Sequence, residues 1–347
     1  MSLCIARDIV ATVWTEMAVR WRRPPDRPPP GVEAYNLYLK GLYSARQWTT
    51  EGLTQADGEL ERSVAADPGY APAHAALAKY YALLGVHAGL APNEVMPKAK
   101  AAAAKALALD SSLSLAHASL GLVKAVYDWD GTGAGQSFRR AIELDPTDTD
   151  LGELFVIGYL TPQGRLDEAL RVIQEARFRD PISPRIESVL GQVHYFRREY
   201  DLAIEQLRKP LQMDPGFEAA RLALGSAYER KSRFVEAIAS MQEGRAAWRS
   251  GVGASMLGHT YALMGRRPEA EKLIQELVQL SRTRYISPAY VATIYAGLGD
   301  KDRAIEWLEK AYEARAASLV YLKVNPRYDS LRPDPRFQAL IHKIHLD

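Results

Sequence analysis

The sequence predicts an all-α fold, a solenoid of about eight helix pairs with a distinct segment at each end. Two observations predict it. An alanine recurs at Ala56, Ala99, Ala134, Ala169, Ala203, Ala237, Ala270 and Ala304, with successive gaps of 43, 35, 35, 34, 34, 33 and 34 residues. A period of this length marks a repeat architecture, in which each unit buries its apolar face against its neighbours. The second observation is local. A bulkier apolar residue stands four positions after most of these alanines, at Leu60, Phe138, Ile173, Leu207, Met241, Ile274 and Leu308, with Ala103 the small exception. Four residues span about one helical turn, so each pair shares a helix face.

Within each unit the two helices carry different signatures. On the first, a Leu or similar residue precedes a small residue and an aromatic often follows, as in Leu224, Gly225 and Tyr228, Leu257, Gly258 and Tyr261, and Val291, Ala292 and Tyr295. A small residue lets two helices approach closely while the aromatic fills the gap beyond. On the second helix small residues return at Ser63, Ala106, Ala141, Ala176, Gly244 and Ala311, and Asp67-Pro68, Asp145-Pro146, Asp180-Pro181 and Asp214-Pro215 close four units. Proline ends one helix there and opens the turn to the next. Three places depart from the pattern. Unit two, residues 71–113, is about nine residues longer between its helices, and unit four has Ile157 and Gly158 where Leu-Gly is expected. Pro210 falls inside a second helix, which predicts a kink or a late start.

The segments outside the array, residues 1–31 and 317–347, follow their own logic. Ile5, Ile9, Val10, Val13, Trp14, Met17 and Trp21 draw one apolar stripe along an amphipathic helix over residues 5–21. That stripe must bury against something: the first unit as a cap, the remains of an upstream domain, or a partner, including a second copy in a homodimer. RRPPDRPPPG, residues 22–31, is a stiff polyproline spacer with PxxP spacings inside it. After the array of residues 32–316, Val324-Asn325-Pro326-Arg327-Tyr328, Pro333, Pro335 and a last helix around Phe337 to Ile344 abandon the repeat. A solenoid exposes an apolar face at each end, so this segment is predicted to be a C-terminal cap.

Composition narrows the function classes. With 347 residues, 47% hydrophobic and 25% charged, the chain has a soluble globular balance that excludes disorder and a multi-span membrane protein. Residues 1–31 carry the whole net charge of +2, so the balanced array offers no field to draw nucleic acid or an anionic membrane. Cys4 is the single cysteine, which excludes an internal disulfide framework and a thiolate zinc site. Arg7, Asp8 and Glu16 interrupt the apolar start, which reads as neither a signal peptide nor a membrane span and leads to the expectation of a cytoplasmic protein.

At these small, aromatic and proline positions the chain resembles the tetratricopeptide repeat family, whose unit is a 34-residue helix-turn-helix, over about residues 33–316. The strings EAYNLYLKGLY, YDWDGTGAGQSFRRAIELDP, IYAGLGDKDRAIEWLEKAYEAR and LVYLKVNPRYDSLRPDPRFQALI also look like the repeat region of bacterial signalling proteins. There such an array sits C-terminal to a winged-helix DNA-binding domain, a Ser/Thr kinase or an adenylate cyclase, none of which is present in this sequence. The resemblance implies a right-handed superhelix acting as a non-catalytic regulatory or interaction module. It further implies a concave groove, lined by the first helix of each unit, that takes a protein or peptide. Carried onto this chain, the groove positions are Lys79, Leu83, Leu115, Leu122, Val126, Leu151 and Leu154 in units two to four. In units five to seven they are Arg185, Gln192, Tyr195, Phe196, Ser226, Glu229, Arg230 and His259. An apolar half and an aromatic, polar half suit a peptide with one greasy end and one hydrogen-bonding end.

Nothing in the sequence predicts a cofactor or a metal. GTGAG, residues 131–135, follows a predicted helix, whereas a phosphate-binding loop follows a strand, so it reads as the inter-helix turn of unit three. Asp128 and Asp130 beside it are candidates to cap the next helix. His74 and His117 hold equivalent places in adjacent units, and His342 with His345 supplies too few ligands for a metal site. The alternative to a binding scaffold is an enzyme with a metal-assisted hydrolytic or transfer site in the groove, built on Asp128, Asp130 and the two stacked histidines.

Overall fold

A computed structural model of the protein describes residues 31–45, 50–87, 90–243 and 251–346. The stripe of residues 5–21, and with it the dimer reading, lies outside these, as does nearly all of the 22–31 spacer. The described chain is an all-α repeat solenoid. Its pairs are α1 (Val32–Ala45) with α2 (Thr50–Ala66), α3 (Ala71–His87) with α4 (Pro92–Leu109), α5 (Ser114–Val123) with α6 (Gly131–Leu144), and α7 (Thr149–Phe155) with α8 (Leu166–Arg179). They continue as α9 (Pro184–Phe196) with α10 (Tyr200–Met213), α11 (Glu218–Arg230) with α12 (Phe234–Glu243), α13 (Val252–Leu263) with α14 (Arg267–Leu280), and α15 (Pro288–Gly297) with α16 (Lys301–Glu313).

The repeating alanines explain the stacking. All eight are fully buried, and the residues four positions later, from Leu60 to Leu308, are buried behind them. The small residue of the first helix meets that second residue directly. A Cβ on Gly191 would lie 2.5 Å from Leu207 Cγ, and one on Gly225 would lie 2.8 Å from Met241 Cγ. Only glycine permits this approach, so at Gly191 and Gly225 the small residue marks a contact between the two helices of one unit, whereas Gly258 meets Ile294 of the next unit.

The turns are equally specified. Asp67, Asp145 and Asp214 each accept the main-chain N–H two residues on through Oδ1, at 3.0, 3.1 and 2.9 Å. This Asx-turn satisfies the helix end at the point where proline prevents continuation. From the following helix, His74 Nε2 and Arg221 Nε contact the carbonyls of Pro68 and Pro215 at 3.0 and 2.8 Å. Pro210 does not delay its helix: α10 runs from Tyr200 to Met213 through it.

Units three and four differ from the rest. Their first helices widen into π-turns, Lys124–Asp128 after α5 and Val156–Leu160 after α7. The second coincides with the Ile157-Gly158 departure visible in the sequence.

Beyond α16 the chain turns at Arg315, whose φ is 48°, and forms two 3-10 helices, Ala317–Tyr321 and Pro326–Leu331, followed by α17 (Pro335–Lys343). This segment does more than cover the last unit. Leu319, Leu322 and Leu331 join the same apolar core as Leu122, Phe138 and Leu160 of units three and four. The superhelix has therefore curled far enough for its C-terminal segment to enter its own inner face. A small cleft lined by Gly85 and Val86 on one side and Tyr285, Ser287, Tyr290, Ala317 and Ser318 on the other shows unit two returning beside unit eight.

Candidate functional site

The inner face has two edges, set by the direction of the first helices, and the two edges have different chemistry.

At the C-terminal ends of the inner helices the chain's own segment is held residue by residue. The Arg315 guanidinium lies 5.1 Å from the Tyr127 ring and 4.8 Å from the Trp129 ring, and its Nη1 donates to the Tyr127 carbonyl at 2.7 Å. The Tyr321 hydroxyl donates to the Ile157 carbonyl at 2.6 Å, and its ring stacks on Phe196 at 5.3 Å. Both carbonyls belong to the π-turns. There the helix-end N–H groups of Trp129 and Thr161 reach back to Lys124 and Val156, five residues earlier, and side chains of the C-terminal segment supply donors to the carbonyls in between.

Further along, Arg327 enters a buried polar socket. Its Nη2 donates to Ser226 Oγ at 3.0 Å, and its Nε lies 3.2 Å from Glu229 Oε1. The other Glu229 oxygen lies 3.1 Å from His259 Nδ1 and accepts from Thr260 Oγ1 at 2.6 Å. Burial works against the Glu229 carboxylate, yet Arg327, then His259 and Thr260, outweigh it and hold its pKa down to about 2. Tyr195 forms another wall, its phenol pushed up to about 12 by burial, with the half-buried Arg230 close enough to oppose that rise. Tyr328 completes the contact through its hydroxyl, 2.8 Å from Thr293 Oγ1.

The opposite edge, nearer the N-terminal ends of the inner helices, carries an ion-pair chain. Lys79 Nζ lies 3.2 Å from Asp150 Oδ2, Arg185 Nη2 lies 2.9 Å from Glu153 Oε2, and Arg185 Nη1 lies 3.7 Å from Asp150 Oδ1. Burial pushes the Glu153 carboxyl up, and Arg185 only partly offsets it. Gln192 stands two turns further along the helix that carries Arg185, its Nε2 donating to Ser188 Oγ at 3.3 Å. Unlike the socket, this edge is partly wet: the Asp150 side chain is 44% exposed and that of Arg185 26%, while Glu153 beneath them is buried.

The predicted groove positions therefore divide. Leu83, Leu122 and Val126, with Leu151 and Leu154, lie in the same apolar core as Leu319 and Leu322, whereas Leu115 packs against Ala75, Ala106 and Ala116. Tyr195, Phe196, Ser226, Glu229 and His259 are taken up around the C-terminal segment. Lys79 and Arg185 remain on the wet edge, and Gln192 is partly buried beside Ser188. Sequence reasoning missed Arg315, Tyr321, Arg327 and Tyr328, because a receptor and its ligand in one chain leave no local spacing to find. Composition carries no signal either, since arginine and tyrosine are about as frequent in residues 317–347 as in the rest of the chain. Complete burial of a leucine contributes roughly 1.5–3 kcal/mol. Leu319, Leu322 and Leu331 are all fully buried, so the packing of this segment is part of the folded state.

The residues weighed for metal chemistry have local structural work. Asp130 Oδ1 accepts from Gly133 N–H at 2.8 Å as the cap of α6, so GTGAG opens that helix, and Asp128 pairs with Lys100 at 2.6 Å. His74 and His117 each bind the carbonyl of their own preceding turn, at 3.0 Å in both cases. Among the described residues no group of three or more His, Cys, Asp or Glu is placed to hold a metal ion. Among them, too, no helix is long and apolar enough to cross a membrane.

Comparison with known proteins agrees with this architecture. Tetratricopeptide repeat family models match residues 163–216 and 188–251, and residues 291–318. The transcriptional regulator HilA of Salmonella typhimurium is 26% identical over 219 residues, which cover 61% of this chain and 39% of HilA. The HilA of Salmonella typhi gives the same values, so the chain spans about two fifths of the length of the curated relatives it matches. Among solved structures, the human IFIT1 dimer with m7Gppp-AAAA superposes with a TM-score of 0.60 at 16% identity, over 89% of this chain and 77% of that one. The APC/C hetero-tetramer Cut9-Hcn1 gives 0.52 at 14% identity, over 97% and 72%. At such identities these two likenesses concern the fold. The alanine register, the glycine contacts and these matches converge on one conclusion: the chain is an all-α repeat solenoid that carries tetratricopeptide repeats over residues 163–251 and 291–318, which supports a protein-interaction scaffold, and its C-terminal segment lies along the inner face.

Proposed function

We propose that this chain is the interaction arm of a bacterial regulatory system, working in the cytoplasm and holding a polypeptide partner on its inner face. The observation that carries this reading is that the inner face already receives a polypeptide in cis, through main-chain carbonyls, a guanidinium socket and a stacking ring. The chemistry of peptide capture is thus built into these helices. The matched regulators from Salmonella support a regulatory setting.

With the C-terminal ends of the inner helices taken, the partner surface is the wet edge of Lys79, Asp150 and Arg185. Partly exposed ion pairs of this kind exchange partners at small net cost, since each charge trades one counter-charge for another. The partner expected there is a charged, extended segment.

A naive displayed-peptide library selected on the full chain tests the assignment. Binders recovered on the wild type should lose most of their affinity for the double variant Lys79→Glu, Arg185→Glu while its helical circular dichroism is retained. Equal binding to the folded variant would remove this edge from the reading.

A further inference from the structure

We infer that residues Arg315–Leu331 are a clasp that fixes the superhelix at one curvature, turning an elastic array into a closed, rigid ring. An ordinary solenoid touches only nearest neighbours, so its curvature is the sum of many small, soft rotations between units. Here the contacts skip units. Arg315 reaches Tyr127 of unit three, Tyr321 reaches Ile157 of unit four, and Arg198, in the turn between the two helices of unit five, pairs with Asp329 through both guanidinium nitrogens, at 2.5 and 2.8 Å. Arg327 then reaches Ser226 and Glu229 of unit six, and Tyr328 reaches Thr293 of unit eight. Five units are tied to one short segment, and any opening of the superhelix must break several of these ties together.

The latch is Arg327 on Glu229. Both are buried and each answers the other's charge, so removing either side chain leaves the other as a buried charge without its counter-ion. The two π-turns are the keyholes at the far side, since each presents a carbonyl to a side chain of the clasp. This inference stands apart from the proposed partner edge: peptide capture by Lys79 and Arg185 can fail while the clasp holds, and the reverse.

Hydrogen exchange and small-angle X-ray scattering on the full chain test it. In Arg327→Ala, amides of residues 317–331 should exchange at least roughly tenfold faster. Those of the π-turns, residues 124–128 and 156–160, should accelerate with them, and the maximum dimension in scattering should grow. Units outside the clasp, such as α1 and α2, should keep their protection. Tyr321→Phe, a milder change, should show the same coupled pattern at smaller amplitude and serves if the first variant does not fold. Acceleration of residues 317–331 without the π-turns would overturn the clasp, and so would uniform acceleration of the whole array or unchanged exchange and dimensions.

Discussion

The Tyr321 hydroxyl donates to the Ile157 carbonyl at 2.6 Å across 164 residues of chain. The carbonyl sits in a π-turn, so this hydroxyl does work that the helix does not do for itself. Tyr321→Phe keeps the ring on Phe196 and removes only the donor. It should cost about 1–3 kcal/mol, the penalty for leaving a buried acceptor unpaired, measurable as a lower midpoint in urea unfolding. No shift in the midpoint would show that the carbonyl finds another donor.

Two glycines in helices should respond in opposite directions to the same substitution. Gly191→Ala places a methyl 2.5 Å from Leu207 Cγ inside a unit, and the strain should destabilise by about 1–3 kcal/mol. Gly58→Ala, on α2 with nothing within 4 Å of the new atom, should stabilise by about 0.5–1 kcal/mol through helix propensity alone. Thermal melts of the two variants decide between contact and propensity as the reason for glycine at each position.

Acid should weaken the chain partly through Glu229. Its folded pKa is held at about 2 against an ordinary 4.5, so between these values the unfolded chain takes up a proton that the folded chain refuses. The stabilisation is complete above about pH 4.5 and lost as pH falls toward 2, an effect on the order of 3 kcal/mol for such a shift. Glu153 has the opposite sign, since burial raises its folded pKa and acidification then favours the folded form. Unfolding free energies from pH 6 to pH 2 should fall more steeply in the wild type than in Glu229→Gln, and less steeply in the wild type than in Glu153→Gln.

The repeat was legible in the sequence because its causes are local and recur. Ala203 with Leu207, or Asp214 with Pro215, express one packing rule and one turn rule, and eight copies of the alanine with four of the Asp-Pro turn make the register unmistakable. Even the Ile157-Gly158 departure was visible, although a π-turn is a main-chain event that residue types do not announce. The C-terminal segment was legible only as something outside the repeat. Arg327 and Glu229 are 98 positions apart, and their meeting depends on the accumulated curvature of the intervening units, which no spacing encodes. For the same reason the groove rule identified inner-face positions such as Tyr195 and His259 without revealing what faces them.

The π-turns also bear on how such a chain can change its length. Arrays held by neighbour contacts alone tolerate duplication or loss of a unit, because every junction is equivalent. In this chain the span from Arg315 to Tyr127, and from Tyr321 to Ile157, is gauged by the units between them. One unit more or fewer would carry Arg315 and Tyr321 past their carbonyls. The number of repeats between unit three and the C-terminal segment is therefore a fixed dimension of the molecule, as a bracelet's circumference is fixed once its fastener and eye have been placed.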